Sequence, residues 1–224
     1  YAKTFSHFYL NSLVAGKTEY HLPAGGSSAI GNLGFVNAAL ELRDQVEAGE
    51  IPQPDYLVVA TGSMGTTAGL SVGLKLAGLA TKIKAVRVID RHYGPLPVVT
   101  EGTLLRKCRQ LTGYLRTNLG LSIESGGNTD LMHDYFGKGY GYETPEGLKA
   151  MQIMRKLDLS CETTYSAKAF AAALDLARKE KMKTVLYWHT LNSVKFDMED
   201  SDSRLQLLPA DLKKIFSLPE GSRR

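Results

Sequence analysis

The chain has 224 residues, 43% hydrophobic and 22% charged, with a formal net charge of +4, the make-up of an ordinary globular protein with a buried core. Its basic residues are interleaved with acids or apolar residues, as in Lys179-Glu180-Lys181, so no basic stripe invites nucleic acid. No apolar run reaches the roughly 20 residues of a membrane span, and the first residues lack the charged-then-apolar layout of a signal peptide. Two distant cysteines, Cys108 and Cys161, exclude a disulfide framework, form no metal-ligand cluster and suit a reducing, cytoplasmic setting.

The chain starts at Tyr1 without a methionine, which reads as the trimmed or processed start of a longer chain, so an N-terminal part is expected to be missing. Residues 1–16 carry Phe5, Phe8, Tyr9, Leu13 and Val14 at helical spacing up to Gly16. Thr18–Leu22 is a short strand closed by Pro23. A small-residue loop, Ala24-Gly25-Gly26-Ser27-Ser28, then leads into a helix over Ile30–Ala48 with Leu33, Val36, Leu40 and Val46 on its apolar face.

Pro52 and Pro54 introduce a strand over 56–60. An alanine- and leucine-rich helix follows to about Gly78, and a strand over Lys84–Ile89 exits into the loop Asp90–Pro95. Loops at strand C-termini are where open α/β sheets bind ligands. A helix over Thr100–Leu119 has Leu104, Leu105, Cys108, Leu111 and Leu115 as its stripe, and the glycine-rich stretch 122–145 has no clear period. Thr144-Pro145-Glu146 has the order N-cap, first-turn proline and early acid, launching a helix to Leu157. Another helix starts at Thr163 and ends near Lys179. Lys183–Trp188 is the last strand, with His189-Thr190-Leu191-Asn192 in its exit loop, and the rest is an extension with one short helix. Strands alternating with helices at this spacing predict an open parallel sheet with helices on both faces. The expected organisation is one α/β domain over 1–192 and an extension over 193–224.

The organising stretch is Thr61-Gly-Ser-Met-Gly-Thr-Thr-Ala-Gly69, lying between a strand and a helix. Gly62 and Gly65 allow close approach of the backbone, Ser63, Thr66 and Thr67 offer hydroxyls, and the helix start supplies free N–H groups, which together form a cradle for a phosphate. The competing reading is a tight βα turn that binds nothing. The spacing matches neither Gly-Lys-Ser/Thr nor G-x-G-x-x-G, which disfavours a nucleotide.

Five motifs in order carry a family resemblance. They are Pro23-Ala-Gly-Gly-Ser-Ser with Gly31-Asn-Leu-Gly-Phe-Val, the loop 61–69, Tyr140-Gly-Tyr-Glu-Thr-Pro-Glu-Gly, Tyr165-Ser-Ala-Lys-Ala and Leu186-Tyr-Trp-His-Thr. The set resembles the pyridoxal-phosphate enzymes that include 1-aminocyclopropane-1-carboxylate deaminase and D-cysteine desulfhydrase, of the tryptophan-synthase-β type (fold type II). The resemblance implies pyridoxal 5'-phosphate as cofactor, Gly62, Ser63, Gly65 and Thr66 as its phosphate cradle, and Tyr140 and Tyr165 as catalytic residues flanking cofactor and substrate. It also implies that Ser166 and Thr190 lie beside the pyridine ring, where the deaminases carry a glutamate and a leucine.

The hydroxyl pair Ser166 and Thr190 resembles the desulfhydrase side, since neutral hydroxyls hold the ring nitrogen protonated less strongly than a carboxylate does. Leu191-Asn192 stands where the family carries two glycines. Nothing in residues 1–20 matches the family's cofactor-bearing lysine, and Lys168 is expected to be a helix-surface lysine. The implied function is a lyase or deaminase of a small amino acid, most like D-cysteine desulfhydrase, with the attachment lysine on an upstream or separate segment. The alternatives are cyclopropane deamination, a homologue that binds phosphate without chemistry, and an unrelated α/β enzyme or nucleotide-binding module. A homodimer without nucleic-acid or membrane partners is implied.

Overall fold

The computed structural model describes residues 22–192 and, beyond them, Leu207, Pro209, Ala210 and Lys213. The helix predicted over 1–16, the strand predicted over Thr18–Leu22 apart from Leu22, and most of the C-terminal extension lie outside the described residues. Leu22 itself is not in a strand. The chain divides into two units, Tyr1–Leu191 and Asn192–Arg224.

In the first unit, a short 3-10 turn at Ala24–Gly26 precedes α1 (Leu33–Glu47), β1 (Tyr56–Thr61), α2 (Gly65–Leu76) and β2 (Lys82–Arg87). A two-stranded ribbon follows, β3 (His92–Tyr93) and β4 (Leu96–Pro97), then α3 (Glu101–Leu119), β5 (Thr129–Met132), α4 (Pro145–Lys156), α5 (Ser166–Lys179) and β6 (Val185–Tyr187). The main sheet has the order β5-β2-β1-β6 with every pair parallel. The predicted elements within the described residues are found. The ribbon and β5 are additions, in stretches read from sequence as loops.

The strand pleat explains the layering, because successive side chains point to opposite faces. Leu57 and Val59 of β1 and Ile83 and Ala85 of β2 join Ala39 and Leu42 of α1 and Leu70 and Leu74 of α2 in one buried cluster. Val58 and Val86 face the other way, against Ala150 of α4 and the run Ala169, Ala171, Ala172 and Ala173 of α5. Helices thus cover both faces.

Helix α2 is buried along nearly its whole length, and its glycines let α1 lie against it. A Cβ at Gly69 would sit 2.6 Å from the Asn32 carbonyl oxygen, and one at Gly73 would sit 2.7 Å from Ala39 Cβ. This close fit fixes where the N-terminus of α2 points. Thr144 caps α4 as predicted, accepting from the Gly147 N–H at 3.1 Å, and Thr100 caps α3 in the same way, accepting from the Thr103 N–H at 3.1 Å. Among the described residues no helix is long and apolar enough to cross a membrane.

Candidate active site

The strand C-termini open into a cleft of about 730 Å³. Its floor is the end of β1 and the following loop, Ala60 to Thr66. Ala24 and Gly25 form one rim, and Ile89, Tyr93, Leu96 and Val98 form an apolar wall. Tyr140, Tyr165 and Thr190 complete it.

The floor is a strained turn. Met64, the residue before α2, has φ 67°, a left-handed conformation that is costly for a non-glycine residue. It is held by burial of its side chain and by Ala68 N–H donating to its carbonyl at 2.9 Å. The buried Thr67 Oγ1 donates to Thr61 Oγ1 at 2.8 Å, tying helix start to strand end. No side chain caps α2, so its first N–H groups remain available to a ligand.

Two glycines are required by close approach. A Cβ at Gly65 would stand 2.7 Å from Asn32 Oδ1 and 2.9 Å from Ser27 Oγ. At Gly25, φ is 66° and a Cβ would meet Ser63 Oγ at 2.5 Å. The two glycine loops, 24–28 and 62–66, are therefore pressed together, and Ser27 Oγ donates to the Ser63 carbonyl at 3.1 Å. Among the described residues neither Ser63 Oγ nor Thr66 Oγ1 has a hydrogen-bond partner. Free hydroxyls, a bare helix start and a glycine floor form a donor set for a tetrahedral oxyanion.

On the opposite side Tyr140 and Tyr165 share a hydrogen bond of 3.0 Å, with their rings edge to face. Burial, then the bond to Tyr140, pushes the Tyr165 phenol well above its ordinary value, so it keeps its proton at neutral pH. Tyr165 is placed by the Glu162 carboxylate, which accepts from the N–H groups of Thr164, Tyr165 and Ser166 ahead of α5. Tyr140 sits on the glycine-rich segment, which is secured from beneath. Arg87 stacks on Phe136 at 3.9 Å and donates to His133 Nδ1 at 3.0 Å. Burial, then Arg87, lowers the basicity of His133, leaving that nitrogen free to accept.

The structure brings Gly62, Ser63, Gly65, Thr66, Tyr140, Tyr165 and Thr190 to one cleft. It does not bring Ser166 there: this residue is buried at the start of α5, with its Oγ 2.9 Å from Glu162 Oε1 and 3.0 Å from the Glu162 carbonyl. The expectation for Lys168 is corrected. It is no surface lysine but 0% exposed, with Nζ donating to the carbonyls of Phe136 at 2.8 Å and Gly139 at 3.4 Å. Helix α5 turns position 168 inward toward the Tyr140 segment. Sequence reasoning did not single out Tyr93, Leu96 and Val98, although the exit loop of β2 was flagged. Met64 had no signal, since its backbone angle is invisible in sequence. Among the described residues no group of His, Cys, Asp and Glu could hold a metal ion.

Comparison with known proteins agrees with this geometry. The family described as pyridoxal-phosphate dependent enzyme matches residues 4–190. A D-cysteine desulfhydrase of Serratia proteamaculans (strain 568) is 33% identical over 175 residues, 76% of this chain and 49% of its own length. One of Klebsiella pneumoniae (strain 342) is 34% identical over 182 residues, 78% of this chain and 51% of its own. The chain thus spans about half the length of these curated relatives. A crystal structure described as an ACC deaminase homologue superposes with a TM-score of 0.65 at 28% identity, covering 92% of this chain and 59% of that one. A parallel sheet whose first βα turn in the described unit is an uncapped glycine cradle, matched along residues 4–190, belongs to the pyridoxal-phosphate-dependent enzymes.

Proposed function

We propose that the chain provides the cofactor bed of a lyase acting on a small amino acid, with β-elimination from D-cysteine as its reaction: cysteine and water give sulfide, ammonia and pyruvate. The observation that carries this is the convergence of the glycine cradle and the Tyr140–Tyr165 pair on one cleft, in a chain a third identical to two D-cysteine desulfhydrases.

The residues fit pyridoxal phosphate. Ser63, Thr66 and the first N–H groups of α2 would hold the phosphate, the apolar wall of Ile89, Leu96 and Val98 suits a flat ring, and Thr190 would meet that ring at the exit of β6. When bound, the cofactor supplies the electron withdrawal that loosens the Cα proton and the Cβ leaving group. The chain's own part is orientation and hydrogen bonding. Tyr165 stays protonated, and the hydrogen-bonded Tyr140–Tyr165 pair can donate a hydrogen bond to a departing sulfur.

Among the described residues no lysine lines the cleft, so the attachment lysine is proposed to come from outside them. The buried Lys168, committed to two carbonyls, is not offered for that role. Cyclopropane deamination is the second reading, favoured by the ACC deaminase homologue; Thr190 in the cleft, where the sequence resemblance places a leucine in the deaminases, favours the thiol. Two cysteines free of disulfides support a reducing, cytoplasmic setting, and a homodimer belongs to the same proposal.

The test has two parts. Ammonia release is assayed from D-cysteine, L-cysteine and 1-aminocyclopropane-1-carboxylate, with sulfide measured for the two cysteines, and borohydride reduction with peptide mapping finds any lysine that gains the cofactor. Ammonia from D-cysteine above the other two substrates, with an equal amount of sulfide, supports the reading. Saturable cofactor binding by the 224 residues without a modified lysine supports a bed that needs a further segment; absence of turnover once that lysine-bearing segment is present supports the non-catalytic alternative, and no cofactor binding overturns both.

A further inference from the structure

The cleft presents a charge problem. A phosphate monoester carries nearly two negative charges at neutral pH, yet among the described residues no charged side chain lines the cleft. The dipole of α2 offsets only about half a charge. Behind the cradle, Lys107 of α3 meets the first glycine loop.

Lys107 Nζ donates to Ser27 Oγ at 2.8 Å and to the Ser27 carbonyl at 3.1 Å. Ser27 is buried, and its own hydroxyl proton goes to the Ser63 carbonyl at 3.1 Å. The ammonium therefore stands two hydrogen bonds from a residue of the cradle, with a polarised hydroxyl between them. Among the described residues Lys107 has no carboxylate within ion-pair distance. Burial, then the neighbouring Arg106, lowers its basicity. A half-buried ammonium without a counter-ion is costly, and such charges are ordinarily paired.

The unpaired cation and the uncharged anion cradle lie back to back. We infer that Lys107 is the charge partner of the cofactor's phosphate, acting across Ser27 and Ser63 without touching it, and so a positioning residue that makes the cleft selective for phosphorylated over unphosphorylated ligands. The inference rests on the reading of residues 62–66 as a phosphate cradle. It adds a long-range role for α3, since Ser27 and Lys107 are 80 residues apart in sequence. The competing role is a mechanical staple, in which Lys107 merely fastens the loop 24–28. The two roles differ in what they do to a ligand without phosphate.

The experiment titrates the 224-residue chain with deoxypyridoxine phosphate and with deoxypyridoxine, analogues that lack the aldehyde and so do not react with surface lysines. The signal is the fluorescence of Trp188, the chain's one tryptophan. Wild type, Lys107→Met, Lys107→Gln and Lys107→Arg are compared. Lys107→Gln keeps a donor for Ser27 and loses the charge. A unit charge across a partly buried path of several ångströms is worth about a tenfold change in affinity.

Lys107→Met and Lys107→Gln are each expected to bind the phosphorylated analogue about tenfold more weakly, with deoxypyridoxine binding unchanged and selectivity largely kept in Lys107→Arg. Equal weakening of both ligands, or full selectivity in Lys107→Gln, overturns the inference in favour of the staple. A wild-type chain that does not prefer the phosphorylated analogue overturns the cradle reading itself.

Discussion

The phenolic oxygens of Tyr140 and Tyr165 lie 3.0 Å apart, joining the glycine-rich segment after β5 to the start of α5 at the mouth of the cleft. Burial raises the Tyr165 ionisation most, and the bond shared with Tyr140 raises it further. Tyr140→Phe should therefore lower the Tyr165 ionisation toward the ordinary 10.0 without reaching it. Phenolate absorbance of this variant, titrated against the double variant with Tyr165→Phe, isolates that one group. If the phenol pair steadies the leaving sulfur by a hydrogen bond, Tyr165→Phe should lower kcat by about tenfold to a hundredfold. A Tyr165 ionisation that does not move when Tyr140 is changed would break the link between the two residues.

Lys168 grips the same segment from below. Its ammonium is desolvated, which lowers its basicity, and it is repaid by the carbonyls of Phe136 and Gly139 and by the Phe136 ring at 5.5 Å. Lys168→Met leaves both carbonyls without that donor, at a cost of about 1–3 kcal/mol. Amide exchange should quicken over 136–141, while β1 and α2 remain protected. The native state binds fewer protons here than the unfolded chain between the lowered native value and the ordinary 10.5, so the wild type gains stability as pH rises through that window. The variant should lack the gain. Uniform loosening of the whole domain would mean that Lys168 supports the core rather than the Tyr140 segment.

The two residues show what was legible in sequence. Tyr140, Tyr165 and the loop 62–66 were found because each sits in a motif, and their convergence follows from a parallel sheet whose strand ends gather at one edge. The burial of Lys168 was missed because it depends on where the period-free segment 133–142 folds, and no local pattern records that. Edge strand β5 was missed for a related reason. Four residues, Thr129–Met132, pair on one side only, with β2, and are too short to show a period. Ser166 carried the right chemistry for a ring contact, but its hydroxyl is satisfied by Glu162 four residues earlier, a local competition that residue type alone does not reveal.

Asp55 aligns β6, and with it Thr190, against β1. One carboxylate oxygen meets Lys183 Nζ at 2.8 Å and the other accepts from Thr184 N–H at 2.9 Å. The bond to Lys183, then that from Thr184, holds the Asp55 carboxyl below its ordinary 3.8. Its contribution to stability is therefore present above that value and lost as pH falls through the lowered native one. The partner Lys183 is raised above 10.5, so its share is lost at the alkaline end. The ion pair is solvent-exposed and worth little, whereas the bond to Thr184 fixes backbone. Acid unfolding should move to higher pH in Asp55→Ala and hardly at all in Lys183→Met. Equal shifts in the two variants would assign the effect to the ion pair instead.

Ser166 and Thr190 were read from sequence as a pair that sets reaction preference, and the structure separates them. Thr190 is exposed in the cleft, so Thr190→Leu should change stability by less than about 0.5 kcal/mol while shifting preference from thiol elimination toward cyclopropane deamination. Ser166 is enclosed by the Glu162 loop, and Ser166→Glu would set a second carboxylate against Glu162 at the start of α5, replacing a donor with a like charge. The variant should lose about 1–3 kcal/mol at neutral pH. It should recover part of that loss as acid protonates one of the two carboxyls, the more easily because their repulsion raises the pKa of one. Because Glu162 also holds the Tyr165 N–H, the same variant should weaken the Tyr140–Tyr165 contact and with it turnover. Denaturant unfolding across acid and neutral pH measures both effects, and a Ser166→Glu chain as stable as its parent at neutral pH would show that the Glu162 latch does not hold the start of α5.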